Sequence, residues 1–144
     1  MKDRFFLDTN ILVYAYDRHD LRKQGIAQAL LMDGMENESA VLSVQVLGEF
    51  FTVVTRQIKQ PMTTAEAKEA IDLFSNFFVQ EVDLALVERA IDTHKMCRIS
   101  YWDALIISAA ERAGCQRILS EDLNDGQLYH SIRIANPFNK IRGQ

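Results

Sequence analysis

The chain has 144 residues, and 48% of them are apolar over AVILMFWYC, enough for one core and too many for a disordered segment. Its 16 Lys and Arg against 20 Asp and Glu leave a formal charge of -4, which argues against a large basic surface for gripping nucleic acid. No stretch approaches the roughly 18 uninterrupted apolar residues of a membrane span. Cys97 and Cys115 are too few for a disulfide scaffold or a thiolate metal site, so the expected location is a reducing cytoplasm, with no membrane involved.

The opening MKDRFFLDTN reaches an aspartate soon after its apolar run begins, so it reads as a first strand, Arg4–Leu7, and not as a signal peptide. Asn10–Tyr16 follows as a short helix, then the polar breaks Asp17, His19 and Asp20, then helical spacing over Leu21–Met35. Ala40–Leu42 is a second strand. Ser43 can cap a helix through Arg56 to about Ile58, before Pro61 interrupts. Thr63 or Thr64 can cap a helix through Phe74, Phe78–Val82 is a strand, and Asp83 can cap a helix over Leu84–Met96. Ser100 starts another helix, YWDALIISAAERAG, stopped by Gly114. Arg117–Leu119 is then a strand, Glu121–Gly126 a turn-rich loop, and Ile132–Ala135 the last strand.

The order β-α-α-β-α-α-β-α-α-β-β predicts an α/β fold with a mainly parallel sheet covered on both faces. No repeat, low-complexity tract or linker divides it, so residues 1–144 are expected to form a single domain.

Acidic residues fall at informative places in this scheme. Asp8 ends the first strand and Asp122 lies just past the strand Arg117–Leu119, so two separate segments deliver an aspartate to the carboxyl edge of the sheet, where ligands gather. Helix caps and turns use aspartate in the same places. Asp103 stands three residues after Ser100, the spacing of a capping box, yet it also shares a helix face with the apolar Ile107 and Ala110. Capping and ligation both remain open for it. Glu49 lies outside the apolar stripe of Val46, Leu47, Phe50, Phe51 and Val54, which makes it solvated or cleft-lining. His19, His94 and His130 are scattered and lack metal-ligand spacing.

With these positions in place, the chain resembles the PIN-domain ribonucleases, in particular the VapC toxins of toxin–antitoxin pairs. The resemblance rests on FFLDTNILVYAYD, LSVQVLGEFFTVVTR, YWDALIISAAERAG and ILSEDLNDGQ with IANPF, in the family's order and over nearly the whole chain. It implies a three-layer α/β/α PIN-like domain. It also implies an acidic site of Asp8, Glu49, Asp103 and Asp122, with Asp125 as a less constant further acid. Asn10, Ser43 and Ser120 would be polar helpers that orient backbone and carboxylates, while Glu121 is expected to be exposed beside the site. Asp125 sits in Asn124-Asp125-Gly126, which also makes an ordinary turn.

Four carboxylates at close range repel by about 4 kcal/mol per pair at 4 Å and an effective dielectric near 20, which cations or protons must relieve. An all-oxygen donor set points to Mg²⁺ or Mn²⁺ and not zinc. Two such divalent ions would cancel the formal charge of -4, so net acidity does not exclude a nucleic-acid substrate. The implied reaction is metal-dependent hydrolysis of RNA phosphodiesters, leaving 5′-phosphate and 3′-hydroxyl ends.

Arg18, Lys23, Arg56, Lys59, Arg98 and Arg112 are candidates for RNA phosphates. Among Tyr14, Tyr16, Phe50, Phe51, Tyr101 and Trp102, Trp102 is the first candidate for stacking on a base. The resemblance further implies a homodimer and a small VapB-like antitoxin covering apolar helical surface, with Leu12, Phe50, Phe51 and Val54 available. The alternatives are a PIN-type RNA-processing nuclease without a toxin role and a catalytically idle regulatory protein. A response-regulator-like or flavodoxin-like domain is disfavoured, because paired acids after the first strand, a late strand-end lysine and a glycine-rich phosphate loop are all missing.

Overall fold

The computed structural model describes residues 3–139. Along them run β1 (Phe5–Leu7), α1 (Thr9–Tyr16), α2 (Leu21–Glu36), β2 (Ala40–Ser43), α3 (Val44–Arg56) and α4 (Thr64–Phe74). They are followed by β3 (Phe78–Gln80), α5 (Leu84–Cys97), α6 (Tyr101–Arg112), β4 (Arg117–Leu119), β5 (Leu128–Tyr129) and β6 (Ile132–Ala135). The sheet order is β3-β2-β1-β4-β6-β5. All neighbours pair in parallel except β5 with β6, where Leu128 faces Arg133 and Tyr129 faces Ile132 in antiparallel register.

Short strands suffice because both sheet faces are covered. Phe5, Phe6 and Leu7 are all buried, as are Ala40, Val41 and Leu42. The chain steps outward from β1 to β2 and β3, then returns across β1 to β4, so right-handed crossovers put α1–α4 on one face and α5 and α6 on the other. Accordingly α1 packs on α2 and α3, α3 packs on α4, and α5 packs on α6. On the four-helix side an edge-to-face chain of rings joins Tyr16 to Phe50 at 5.7 Å and Phe50 to Phe74 at 5.2 Å, locking α1, α3 and α4 together.

The caps follow the sequence. Ser43 accepts from the Val46 backbone at 3.4 Å, Asp83 from Leu86 at 2.9 Å and Ser100 from Asp103 at 3.1 Å. Thr63, and not Thr64, caps α4, in a complete capping box with Glu66. Gly114 takes a φ of 76° just after α6, as its place in the sequence predicts.

Three expectations are corrected. β5 is an added edge strand, joined to β6 through His130 and Ser131 at φ 50° and 68°, a mirror-image turn built without its usual glycine or asparagine. Leu12, Phe50 and Val54 are fully buried and belong to the core, so they offer no surface to a partner; of that group Phe51 alone is partly exposed. Glu121 is half-buried and paired, not simply exposed. Among the described residues no helix is long and apolar enough to cross a membrane.

Candidate active site

The sheet changes direction between β1 and β4, and the ends of these two strands open the crevice in which such folds hold ligands. Leu7 is in register with Leu119, and the Asp8 backbone N–H donates to the Leu119 carbonyl at 3.0 Å. That pairing sets Asp8 beside Ser120. The Ser120 hydroxyl donates to Asp8 Oδ2 at 2.6 Å and accepts from the backbone N–H groups of Asp122 at 3.1 Å and Leu123 at 3.3 Å. One buried hydroxyl thus orients a carboxylate on one strand end and the loop that carries another.

Asp8 also caps α1, accepting from Thr9 N at 2.7 Å through Oδ1. It is 5% exposed, and burial raises its pKa from 3.8 to about 6. The hydrogen bonds from Ser120 and Thr9 oppose the rise, while the charges of Asp122 and Glu49 reinforce it. Burial wins, and the anion is left short of compensation.

The residues after Asp8 connect it to the other acids. Asn10 Nδ2 donates to Asp122 Oδ2 at 3.1 Å, and Asn10 Oδ1 accepts from the Glu121 backbone at 3.2 Å. Thr9 Oγ1 donates to Glu49 Oε2 at 2.9 Å, while Gln45 Nε2 donates to Glu49 Oε1 at 2.8 Å and to the Trp102 carbonyl at 3.1 Å. Asp8, Glu49 and Asp122 are therefore joined through single intervening residues, Thr9 by its backbone N–H and hydroxyl and Asn10 by its side chain. Asp103 enters through Gln45 and the backbone of its neighbour Trp102.

Ser100 caps Asp103 N–H, but the reciprocal half of the capping box is absent, and the Asp103 carboxylate accepts no hydrogen bond among the described residues. Ser43 is buried and spends its hydroxyl on capping the helix that bears Glu49. Asp125 has both oxygens engaged, with Asn136 N at 3.0 Å and Asn139 Nδ2 at 2.8 Å, so it fastens the loop to the final turn.

Beside this group Tyr14 donates to Glu121 Oε1 at 2.6 Å and Lys23 pairs with the other oxygen, its ammonium lying 4.8 Å from the Tyr14 ring centroid. This clamp holds the residue next to Asp122. It also takes Lys23 out of the set of free cations, as the ion pair with Asp83 does Arg112. Arg18, Arg56, Lys59 and Arg98 remain exposed. Trp102 is 62% exposed, with Tyr101 edge-on at 5.0 Å.

The donor chemistry suits a hard cation: carboxylates, hydroxyls and an amide oxygen, with an undercompensated Asp8 at the centre. Their spacing is looser than a coordination shell, since among the described residues no three acidic, histidine or cysteine side chains stand close enough to hold an ion. Thr9, Asn10 and Gln45 occupy the intervals between the acids. Thr9 and Gln45 escape a reading by residue type. The helical spacing of Gln45 to Glu49 is visible in the sequence, but the partner of Thr9 lies 40 residues away.

Residues 5–127 match the PIN domain family, and the chain belongs to it. PIN nucleases generally use divalent metal ions. No curated protein matches the chain in sequence. Among solved structures, the fold is similar to that of Mycobacterium tuberculosis VapC20, described as a sarcin-ricin loop cleaving toxin, at 24% identity and a TM-score of 0.63, over 82% of this chain and 89% of that one. It is also similar to a chain of the DNA-bound VapBC complex from Salmonella typhimurium (15% identity, TM-score 0.68, 94% and 99% covered). A third likeness is to a chain of VapBC2 from Rickettsia felis bound to a promoter fragment (20% identity, TM-score 0.60, 82% and 87% covered).

Proposed function

We propose that this chain is a metal-dependent endoribonuclease toxin that hydrolyses RNA phosphodiesters in the cytoplasm and is neutralised by a VapB-like antitoxin. One observation carries the reading: a buried, charge-starved Asp8 tied through Ser120, Asn10 and Thr9 to Asp122 and Glu49 at the switch point of a PIN fold. Asp8, Glu49, Asp103 and Asp122 are the residues that would hold Mg²⁺ or Mn²⁺. Asp125 joins them only by exchanging its bonds to Asn136 and Asn139. When bound, the ion lowers the pKa of a water and offsets charge on the phosphate. In the hydrolysis an oxygen–phosphorus bond forms from water as the bond to the 3′ oxygen breaks, giving 5′-phosphate and 3′-hydroxyl ends.

The chain's own groups do the positioning. Ser120 and Thr9 fix the Asp8 carboxylate, Asn10 fixes Asp122, and the exposed Trp102 beside Asp103 offers a face to an unpaired base. A partner surface is available at the C-terminal end of α1, away from the acids at its N-terminal end. A groove of about 640 Å³ between α1, α2 and α4 is lined by Tyr16, Leu31, Met32, Met35 and Leu73, and its apolar wall suits an antitoxin helix. Homodimerisation is proposed on the VapC likeness alone.

The test is cleavage of a defined RNA with purified protein. Activity is expected with Mg²⁺ or Mn²⁺, none with EDTA, and a loss of at least about 100-fold in Asp8→Asn and Asp103→Asn. Cleavage that survives both substitutions would defeat the reading.

A further inference from the structure

Gln45 has a complete and unusual hydrogen-bond account. Both hydrogens of its amide nitrogen are spent, one on Glu49 Oε1 at 2.8 Å and the other on the Trp102 carbonyl at 3.1 Å. Its amide oxygen is buried without any donor. The reverse orientation of the amide would aim that oxygen at a carboxylate and a carbonyl, so the two acceptors dictate which way it points. A buried acceptor left unsatisfied is disfavoured, and its persistence calls for a reason.

The position of Gln45 supplies one. It lies in the first turn of α3, one turn before Glu49, and it reaches across to the first turn of α6, where Trp102 precedes Asp103. These helices approach from opposite faces of the sheet, and each carries one of the acids least constrained by the strands. Thr9 Oγ1 holds the other oxygen of Glu49 at 2.9 Å. With Thr9 and Gln45 on either side, the Glu49 carboxylate is fixed in rotation by two neutral donors. Each of its oxygens still has a lone pair to offer a cation.

We infer that Gln45 is a positioning residue that sets Glu49 and Asp103 in a common register for cation binding and RNA hydrolysis. The inference rests on the proposed nuclease function. Gln45 touches neither substrate nor ion. It acts by fixing one carboxylate directly and the helix turn of the other through its backbone, as residues behind metal ligands commonly do.

A double-mutant cycle tests this in the full-length chain, with Mn²⁺ affinity read by calorimetry and RNA cleavage read as separate kcat and KM. Gln45→Met, which keeps the length of the side chain and removes its donors, is expected to weaken Mn²⁺ binding and to lower kcat, each by roughly 10-fold, with KM for RNA within about twofold. Combined with Glu49→Ala, it should add clearly less than its roughly 10-fold effect on the wild type, because the part of its action exerted through Glu49 is already lost and only the hold on the Asp103 turn remains. If Gln45→Met fails to melt cooperatively, Gln45→Leu, which also removes both donors and adds no charge, is expected to show the same defect.

An active wild type in which the Gln45 variants keep wild-type affinity and kcat would overturn the inference and leave the nuclease reading standing. Fully additive losses in the double mutant would also overturn it, showing that Gln45 acts apart from Glu49. A wild type inert towards both Mn²⁺ and RNA would sink the nuclease reading and this inference with it.

Discussion

At Asp8, desolvation and hydrogen bonding pull in opposite directions, and desolvation prevails, lifting the pKa from 3.8 to about 6. The consequence for stability has a definite sign. Between those two values the folded state holds the proton that the unfolded state has released, so stability falls as pH rises through that window and is level above it. The shift corresponds to about 3 kcal/mol withheld from the metal-free protein at neutral pH. Urea unfolding in EDTA at pH ~4 and ~7 should show this loss in the wild type, and Asp8→Asn should remove most of that slope, because its side chain never ionises. Equal slopes in the two proteins would mean that Asp8 ionises as freely as an exposed carboxylate. Asp8 and Asp122 are legible in the sequence because strand ends announce themselves. Glu49 is not, since periodicity shows only that it avoids the core. Thr9 and Gln45 are hidden for a simple reason: their partners Glu49 and Trp102 come from other elements, and only the packed fold brings them into reach.

Among the elements, α2 shows how a helix can be limited by its neighbour. At Gly34 an added Cβ would lie 2.4 Å from Ala40 Cβ on β2, whereas at Gly25 in the same helix nothing stands within 4 Å. Alanine improves the intrinsic helix preference at either site by up to about 1 kcal/mol. At Gly34 the clash with a side-chain stub that cannot swing aside outweighs this gain. Gly34→Ala should therefore cost roughly 1–2 kcal/mol net, while Gly25→Ala should be neutral or stabilising, as measured by chemical denaturation. Two stabilised variants would mean that α2 and β2 can separate without penalty. The helices and most strands could be read from caps and apolar spacing, as at Thr63, Asp83 and Ser100. β5 could not. Two residues are too few for a period, and the turn at His130 and Ser131 lacks the glycine or asparagine that marks a tight hairpin.

For the whole molecule, charge and topology give one reading. The net charge of -4 suggests a protein that avoids nucleic acid, but part of that acidity is gathered at the switch point of the sheet, where the charges of Asp122 and Glu49 add to the need of the buried Asp8 for a cation. Lys23 and Arg112 serve ion pairs within the chain, leaving Arg18, Arg56, Lys59 and Arg98 as the exposed basic candidates outside such pairs. Cys115 is buried with its thiol pushed up to about 12, which suits an inert packing role and no redox chemistry. The cluster around Asp8 is the proposed receptacle for a divalent cation. Calorimetric titration with Mn²⁺ at pH ~5 and ~7.5 tests it most directly, because the ion must displace the Asp8 proton below about 6. Binding should tighten with pH across this range, release a proton at the lower pH, and be abolished in Asp8→Asn. Affinity that is independent of pH, or unchanged in Asp8→Asn, would contradict it.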